Sequence, residues 1–204
     1  MKGIGVLARK HGVPIYATAG TIAEMKKMTS LGSIDEGLFH EIRPDEKILI
    51  KDITVDPSSI WHDAADPVCY SLYGDGKKVS IATDMGNYND YIVDKLDNSD
   101  IMVVEANHDV RMLEAGPYPY YLKRRILGNY GHLSNELSGQ LIYRLLNDHV
   151  KGILLGHLSK ENNMPELAYE TVRLEIDMGD CPYHADDFHL AVAKRDEMSE
   201  IISL

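Results

Sequence analysis

Four polar residues that could do chemistry, His62, Asp84, His132 and His157, each lie on a predicted loop just after a strand. Neutral imidazole and ionised carboxylate are the usual ligands of zinc and similar divalent cations. The two oxygens of a carboxylate can bind one cation each, so Asp84 could join a pair of cations. Two such cations would activate a shared water and hold the displaced oxygens of a phosphodiester or an acyl group. The pattern suggests a two-metal hydrolytic site.

Each of these residues has a simpler interpretation when it is considered alone. A single His is more often a surface residue or a hydrogen-bonded structural residue than a ligand. Asp84 alone is more often a turn residue or a helix cap. The metal hypothesis therefore depends on the four positions being brought together by the fold.

The stretch 131–163 contains two of the imidazoles and predicts how they are held. His132 precedes a helix that Ser134 or Asn135 can cap, and His157 follows the short buried strand 152–155. Apolar residues recur at helical spacing between them, namely Leu133, Leu137, Leu141, Ile142, Leu145 and Leu146. The run HLSN at 132–135 is similar to the run HLSK at 157–160. Both imidazoles are therefore expected at the ends of neighbouring elements.

The rest of the chain alternates predicted strands and helices, which favours an α/β sandwich with mixed sheets. Residues 1–11 are predicted as a helix, and residues 18–28 as a second helix with Thr21 as its N-cap. Residues 47–55 are predicted as one strand. The sequence Gly74-Asp75-Gly76 predicts a hairpin turn, and residues 101–105 a buried strand.

Composition indicates one ordinary globular core in 204 residues with 44% hydrophobic and 26% charged residues. A net charge of −11 disfavours broad electrostatic capture of nucleic acid, and the compact basic run 123–125 is interpreted as a solvated helix face. Two scattered cysteines do not form a disulfide framework, which favours a reducing, cytoplasmic setting. The sequence predicts no membrane partner, since no apolar run reaches spanning length and the N-terminal residues, Met-Lys-Gly-Ile-Gly, lack the long apolar core of a signal peptide. A homo-oligomer is compatible with the sequence.

Five motifs occur in an order that is specific. They are Trp61-His62-Asp63-Ala64-Ala65-Asp66-Pro67, Ala82-Thr83-Asp84-Met85-Gly86, Glu105-Ala106-Asn107-His108-Asp109, Gly131-His132-Leu133-Ser134-Asn135 and 156–163, GHLSKENN. With them, the chain resembles the metallo-β-lactamase-fold hydrolases, and within these the YycJ-type branch of exonucleases, over nearly its whole length. The resemblance implies an αβ/βα sandwich with mixed sheets and outer helices.

The resemblance also implies roles for the candidate residues. His62 and His157 resemble ligands of a first and a second metal, Asp84 the carboxylate that bridges them, and His132 a nearby non-ligand that assists proton transfer to the leaving group. Two divalent cations are implied, with zinc as the first choice and manganese as the second. Further polar residues of the motifs are expected to bind a nucleic-acid substrate: Asn107, His108, Ser134, Asn135, Ser159 and Asn162.

One departure from the family pattern is expected to matter. The fold carries a signature H-x-H-x-D-H on the loop before its first helix, and no His-x-His occurs in these 204 residues. In the branch that the chain resembles, the signature runs directly into a helix similar to residues 2–7. We therefore expect an incomplete sandwich that lacks its N-terminal part, or a member that has lost the site. Each metal would keep one His and a share of Asp84, whereas a zinc site needs three or more protein ligands.

Three functions follow from these observations. The first is a metal-dependent hydrolase that acts on phosphodiesters, as an exonuclease on DNA in its complete form. The second is a catalytically inactive domain that binds a partner or dimerises, for which Tyr118, Tyr120 and Tyr121 beside the basic run could form a surface; the simpler interpretation of these tyrosines is a partly packed loop. The third keeps the fold and hydrolyses an ester, thioester or lactone.

Overall fold

The chain folds into strands of three to seven residues and α-helices of six to thirteen residues. A computed structural model describes residues 2–203. Its strands are β1 Ile15–Thr18, β2 Phe39–Ile42, β3 Ile48–Ile50, β4 Ile53–Ser59, β5 Val68–Gly74, β6 Lys77–Ala82, β7 Ile101–Glu105, β8 Gly152–Gly156 and β9 His189–Val192. Its α-helices are α1 Lys2–His11, α2 Ala19–Lys27, α3 Asp90–Leu96, α4 Val110–Ala115, α5 Tyr120–Ile126, α6 Asn135–Leu145 and α7 Pro165–Asp177.

Seven strands form one mixed sheet in the order β3-β4-β5-β6-β7-β8-β9. Strands β3 to β6 are successive antiparallel neighbours, as short turns require. Strands β6 to β9 are parallel and are joined by crossovers that contain helices. The strands β1 and β2 form a separate parallel pair. The prediction of an α/β protein with mixed sheets is therefore confirmed.

The core lies between the parallel half of the sheet and the helices α6 and α7. These two helices present their apolar sides to β7 and β8, whose residues alternate between the two faces of the sheet. The side chains that fill this layer are fully or almost fully buried: Met102, Val104, Leu141, Ile142, Leu145, Ile153, Leu155, Val172 and Ile176. This packing fixes the direction in which β7 and β8 deliver the loops that follow them.

Turn chemistry explains one correct prediction and one wrong prediction. The hairpin at Gly74-Asp75-Gly76 is confirmed, with φ of 49° at Asp75 and 72° at Gly76, values that suit a tight two-residue hairpin turn. The prediction of one strand over residues 47–55 is wrong. Lys51 has a φ of 56°, which reverses the chain and separates β3 from the antiparallel β4.

The predicted N-cap of the second helix is also wrong. Thr18 is the N-cap residue of α2, and its side chain makes no capping bond. The Thr21 hydroxyl instead donates to the Ala65 carbonyl at 2.9 Å, and the Thr18 hydroxyl donates to the Asp66 carbonyl at 2.8 Å. A tertiary contact with the loop that contains His62 therefore replaces the local cap.

Among residues 2–203, no helix has both the length and the apolar character needed to cross a bilayer. Both cysteines are free thiols. Burial raises the pKa of the Cys69 thiol to about 12, so this group is a core side chain rather than a nucleophile.

Asp100 holds the N-terminal edge of the parallel strands, and its replacement by Ala is expected to destabilise the protein. Its carboxylate accepts from the Lys78 N–H at 2.8 Å and from the Lys77 ammonium at 3.0 Å. Because Asp100→Ala leaves the buried Lys78 N–H unpaired, we expect the free energy of unfolding to fall by about 1–3 kcal/mol, measured by urea denaturation.

The pH dependence of this effect has a defined sign. Burial favours the neutral acid, but the bonds from Lys78 and Lys77 outweigh it and lower the pKa of Asp100 below 3.8. A lowered pKa in the folded state gives stability that is present above 3.8 and is lost as the pH falls through the folded-state value. The difference between the two proteins should therefore shrink in acid. A constant difference from pH 7 to pH 2 would contradict this assignment.

Candidate metal centre

The sheet topology brings three of the four candidate residues to one edge, whereas His132 lies between α5 and α6 and not just after a strand as predicted. Asp84 and His157 follow the parallel strands β6 and β8, and Glu105 ends β7 between them. His62 follows β4, which runs in the same direction as β6 because two antiparallel steps separate them. The loops after all four strands therefore meet at the carboxyl edge of the sheet, where ligand sites of α/β proteins commonly lie.

The three imidazoles stand side by side above this edge. Ring centroids are 4.9 Å apart for His62 and His132 and 5.1 Å apart for His132 and His157. Ligand atoms of His62, Asp84 and His132 lie within 4.8 Å of one another, and so do those of Glu105, His132 and His157. The structure thus gathers all four residues that the sequence singled out, together with a carboxylate to which the sequence assigned no role.

Glu105 is that carboxylate, and it is completely buried. One of its oxygens lies 2.6 Å from His132 Nδ1 and 2.8 Å from His157 Nδ1, and the other accepts from the Met85 N–H at 2.8 Å. Burial favours the neutral acid, but the hydrogen bonds from His132 and His157 outweigh it and lower the pKa of Glu105 below its usual value. The ionised group can only accept, so both rings carry their proton on Nδ1.

A backbone carbonyl fixes the third ring in the same way. His62 Nδ1 lies 2.9 Å from the Gly131 carbonyl oxygen, which also can only accept. All three imidazoles, when neutral, therefore carry their lone pair on Nε2. Hydrogen bonds behind a ring that select one nitrogen and orient it are typical of metal-ligating His.

The free nitrogens of His62 and His157 both face Asp84. Each Nε2 is 3.6 Å from Asp84 Oδ1. Two atoms that bind one tetrahedral zinc at about 2.0–2.2 Å lie about 3.3–3.6 Å apart. Facing lone pairs repel each other unless a cation or a proton lies between them. The donor set and its spacing therefore fit divalent cations held by Asp84 with His62 and by Asp84 with His157.

The backbone is strained at two of these positions. Asp84 has a φ of 57° and His157 a φ of 55°. Both values lie in the left-handed region, which residues other than glycine seldom adopt. Such conformations cost of order 1–3 kcal/mol and persist where the surroundings impose them. Both residues come directly after a strand end, so the turn aims the side chain back over the sheet edge.

Hydrogen bonds between loops hold the His157 turn in place. The Asn107 amide donates to the His157 carbonyl at 2.9 Å, and the Ser159 N–H donates to the Asn107 carbonyl at 2.7 Å. Buried Asn163 donates to the Ala106 carbonyl at 2.9 Å. The position of His157 is therefore set by the loop that follows β7.

The His62 loop is held from the other side. Arg125 on α5 donates from Nη2 to Asp63 Oδ1 at 2.8 Å and from Nε to the other oxygen, and this pairing lowers the pKa of Asp63. Gly86 donates to the Trp61 carbonyl at 2.8 Å. A Cβ on Gly86 would lie 2.4 Å from the Gly131 N, so glycine is needed where these loops touch. The guanidinium of Arg125 is therefore engaged by Asp63, and Gly86 allows the neighbouring loops to touch.

The residues predicted to bind substrate lie around this centre, and most are buried. Asn135 and Asn163 bond each other reciprocally at 3.0 and 2.8 Å, and Ser134 caps α6. His108 is 1% exposed, and neither ring nitrogen has a hydrogen-bond partner in the described chain. Burial lowers the pKa of His108 to about 4. Contact of these residues with a substrate stays a prediction.

Ser159 and Asn162 also belong to the set predicted to bind substrate. The Ser159 hydroxyl oxygen accepts from the Asn162 N–H at 3.2 Å, and Asn162 is fully buried. Ser159 itself lines a cavity next to His157. Its substrate contact, like that of Asn162, remains a prediction.

The chain is similar to known proteins over most of its length. A family model described as the β-lactamase superfamily domain matches residues 1–152. The exodeoxyribonuclease WalJ of Streptococcus pneumoniae serotype 2 is 39% identical over 178 residues, which are 87% of this chain and 66% of that protein. The exodeoxyribonuclease YycJ of Bacillus anthracis is 37% identical over 180 residues, which are 84% of this chain and 64% of that protein. The chain thus spans just under two thirds of the length of these relatives.

A solved structure shares the fold at low sequence identity. The metallo-β-lactamase fold protein YhfI of Bacillus subtilis is 15% identical, with a TM-score of 0.59 over 89% of this chain and 62% of that protein. At this identity the likeness concerns the fold alone. The expected sandwich fold and the expected branch are both confirmed.

Proposed function

Since this chain belongs to the metallo-β-lactamase superfamily, we propose that its site belongs to a metal-dependent phosphodiesterase, an exonuclease acting on DNA. The observation that carries the proposal is the convergence of His62 Nε2 and His157 Nε2 on one oxygen of Asp84 at 3.6 Å. The names of the relatives at 37–39% identity support a nuclease. The activity is proposed for the form of the protein in which every metal ligand is present.

His62, Asp84 and His157 are the residues that would hold the cations. Divalent cations at such a site activate water and neutralise the charge of a phosphodiester. Each position would take two protein ligands from residues 2–203, with Asp84 shared. A zinc site takes three or four. We therefore propose that an H-x-H-x-D-H segment completes the ligand set, and that zinc or manganese is the metal.

His132 has a role in this proposal that needs no metal contact. Glu105 holds its proton on Nδ1, so Nε2 is the nitrogen that a leaving-group oxygen can meet. In the protonated ring, Nε2 carries the proton that the departing oxygen needs. Glu105 accepts from Nδ1, the other nitrogen, and so orients the ring.

The first test measures hydrolysis and metal content together. The chain, alone and joined to an H-x-H-x-D-H segment, is incubated with end-labelled single-stranded DNA and Zn²⁺ or Mn²⁺. We expect the joined protein to shorten the DNA from one end and to bind about two metal ions. Cleavage of a thioester or lactone but not of DNA would favour the ester-hydrolase alternative, and two bound metals with no hydrolysis would contradict the proposal.

His132→Ala in the joined protein is expected to lower turnover by about 10²–10⁴-fold, the usual contribution of a general acid. The metal content, measured by inductively coupled plasma mass spectrometry, should stay unchanged. Loss of metal together with activity would instead make His132 a ligand.

A partner-binding module remains the second candidate, because Tyr120 and Tyr121 are 76% and 74% exposed on α5. Tyr118 is half-buried. Such a module should fold cooperatively and bind its partner in EDTA. Cytoplasmic location and self-association stay predictions.

A further inference from the structure

A cavity of about 650 Å³ opens beside His157, and the site described above leaves most of it unused. It lies between the loop after β8 and the segment after β9. Its volume falls within the ~300–1,000 Å³ typical of small-ligand pockets. Because His157 lines it, a ligand seated there reaches the candidate metal centre.

The wall of this cavity is apolar. Leu158, Pro165, Val192 and Ala193 line it, and each is partly or largely exposed. Flat aromatic rings bind to such surfaces because they remove apolar area from water. The Ser159 hydroxyl, which also lines the cavity, can donate a hydrogen bond to an anionic oxygen.

The rim of the cavity is cationic. Lys160, Lys194 and Arg195 line it, and no Asp or Glu is among its ten lining residues. Lys194 is paired with Glu197 at 3.1 Å. Within residues 2–203, neither Lys160 nor Arg195 has a carboxylate oxygen within 4.0 Å, and Arg195 Nη2 donates to the Leu158 carbonyl. In a chain of net charge −11, this is a local reversal of sign that favours an anionic ligand.

We propose that this cavity binds the nucleotide next to the cleaved bond, with its base on the apolar wall and its phosphate on Lys160, Lys194 and Arg195. The inference rests on the proposed function and adds the subsite that positions the strand. An apolar wall with a cationic rim matches a nucleotide, which has one aromatic face and one phosphate. The remaining phosphodiester would then extend past His157 toward Asp84.

The test measures binding without hydrolysis. A fluorescein-labelled thymidine trinucleotide is titrated with the 204-residue chain in EDTA, and its anisotropy is followed at several salt concentrations. The triple variant Lys160→Gln, Lys194→Gln, Arg195→Gln should bind at least about tenfold more weakly. Its plot of log K against log salt should be shallower by about 0.7, the value for one phosphate neutralised on a single strand.

A matched variant removes three other exposed cations, Lys10, Lys51 and Lys151, and therefore changes the net charge equally. Lys151 lies at the opposite end of β8 from His157. We expect this variant to bind the trinucleotide within about twofold of the parent. Since all six residues are exposed, both variants should keep the circular dichroism spectrum of the parent. Equal weakening in the two variants would show a general charge effect and would overturn the subsite.

Competition separates the base from the phosphate. Thymidine monophosphate should displace the probe at lower concentration than thymidine or inorganic phosphate alone. Displacement by inorganic phosphate at the same concentration would overturn the role of the apolar wall. A parent chain that fails to bind in EDTA, while the joined protein hydrolyses DNA, would overturn the subsite and leave the proposed activity standing. Binding that depends on the three cations without any hydrolysis would support the subsite and contradict the activity.

Discussion

Asp84→Asn is expected to abolish metal binding while leaving the fold intact. The carboxylate oxygen that faces both His62 and His157 at 3.6 Å becomes part of a neutral amide. Loss of an outer-shell partner typically costs ~10–100-fold in metal affinity, and loss of the ligand shared by two positions should cost more. Calorimetric titration with Zn²⁺ measures the change in affinity. The assay with end-labelled single-stranded DNA measures the activity of the joined protein.

The fold should survive because Asn accepts the backbone conformation at this position. Asp84 has a φ of 57°, and Asn is one of the few residues that tolerates the left-handed region. The Asp84 side chain is 46% exposed, so its ion pairs with the surrounding His contribute little to stability. We expect the thermal midpoint to move by no more than a few degrees.

Asp75→Asn provides the matched control. Asp75 has a φ of 49° at the exposed hairpin tip and undergoes the same change of charge in a similar backbone conformation. Metal affinity should equal that of the parent. If Asp84→Asn bound Zn²⁺ as well as Asp75→Asn does, the metal centre as described here would be wrong.

Glu105→Gln is expected to lower both stability and metal affinity. The ionised carboxylate accepts from two imidazoles and from the Met85 N–H with no exposure to water. The amide of Gln carries no charge, and its NH₂ group would face an N–H group that also donates. We expect the free energy of unfolding to fall by about 1.5–3 kcal/mol, the usual worth of a hydrogen bond to a charged group. Metal affinity should fall ~10–100-fold as His157 loses the partner that orients it.

The stability change should depend on pH with a known sign. The pKa of Glu105 in the folded protein lies below the usual 4.5, so its contribution is present above 4.5 and is lost as the pH falls through the folded-state value. Urea denaturation of the parent and of Glu105→Gln at pH 7 and at pH 3 measures the difference in the free energy of unfolding at each pH. Glu114→Gln, an exposed acid on α4, should change the free energy of unfolding by less than about 0.5 kcal/mol. A Glu105→Gln protein as stable as this control would show that the buried network contributes nothing.

Local patterns in the sequence determined most of the secondary structure. Residues 101–105 are predicted with the bounds that the structure shows, because a short apolar run is decided by neighbours along the chain. The hairpin at Asp75 is equally local. The cap at Thr21 was mispredicted because its hydroxyl bonds to Ala65, a contact that spans 44 positions in the sequence.

The four candidate residues of the site were proposed from the sequence, since the five motifs indicate the family and include His62, Asp84, His132 and His157. The role of Glu105 was not. The only sign of this role was that Glu105 is a charged residue at the end of the apolar run IMVVE. A charged side chain is costly to bury unless partners pair with it and hydrogen-bond to it. Those partners, His132 and His157, are 27 and 52 positions away.

Only the tertiary structure decided which nitrogen each imidazole presents and where the cationic rim lies. The tautomers depend on acceptors behind the rings, at Gly131 and Glu105, that meet them only when β6, β7 and β8 run parallel with their carboxyl ends at one edge. The cavity beside His157 brings Lys160 together with Lys194 and Arg195. Lys160 precedes these two residues by more than thirty positions in the chain. Strand order, a property of long-range pairing, is the physical reason that these groups act together.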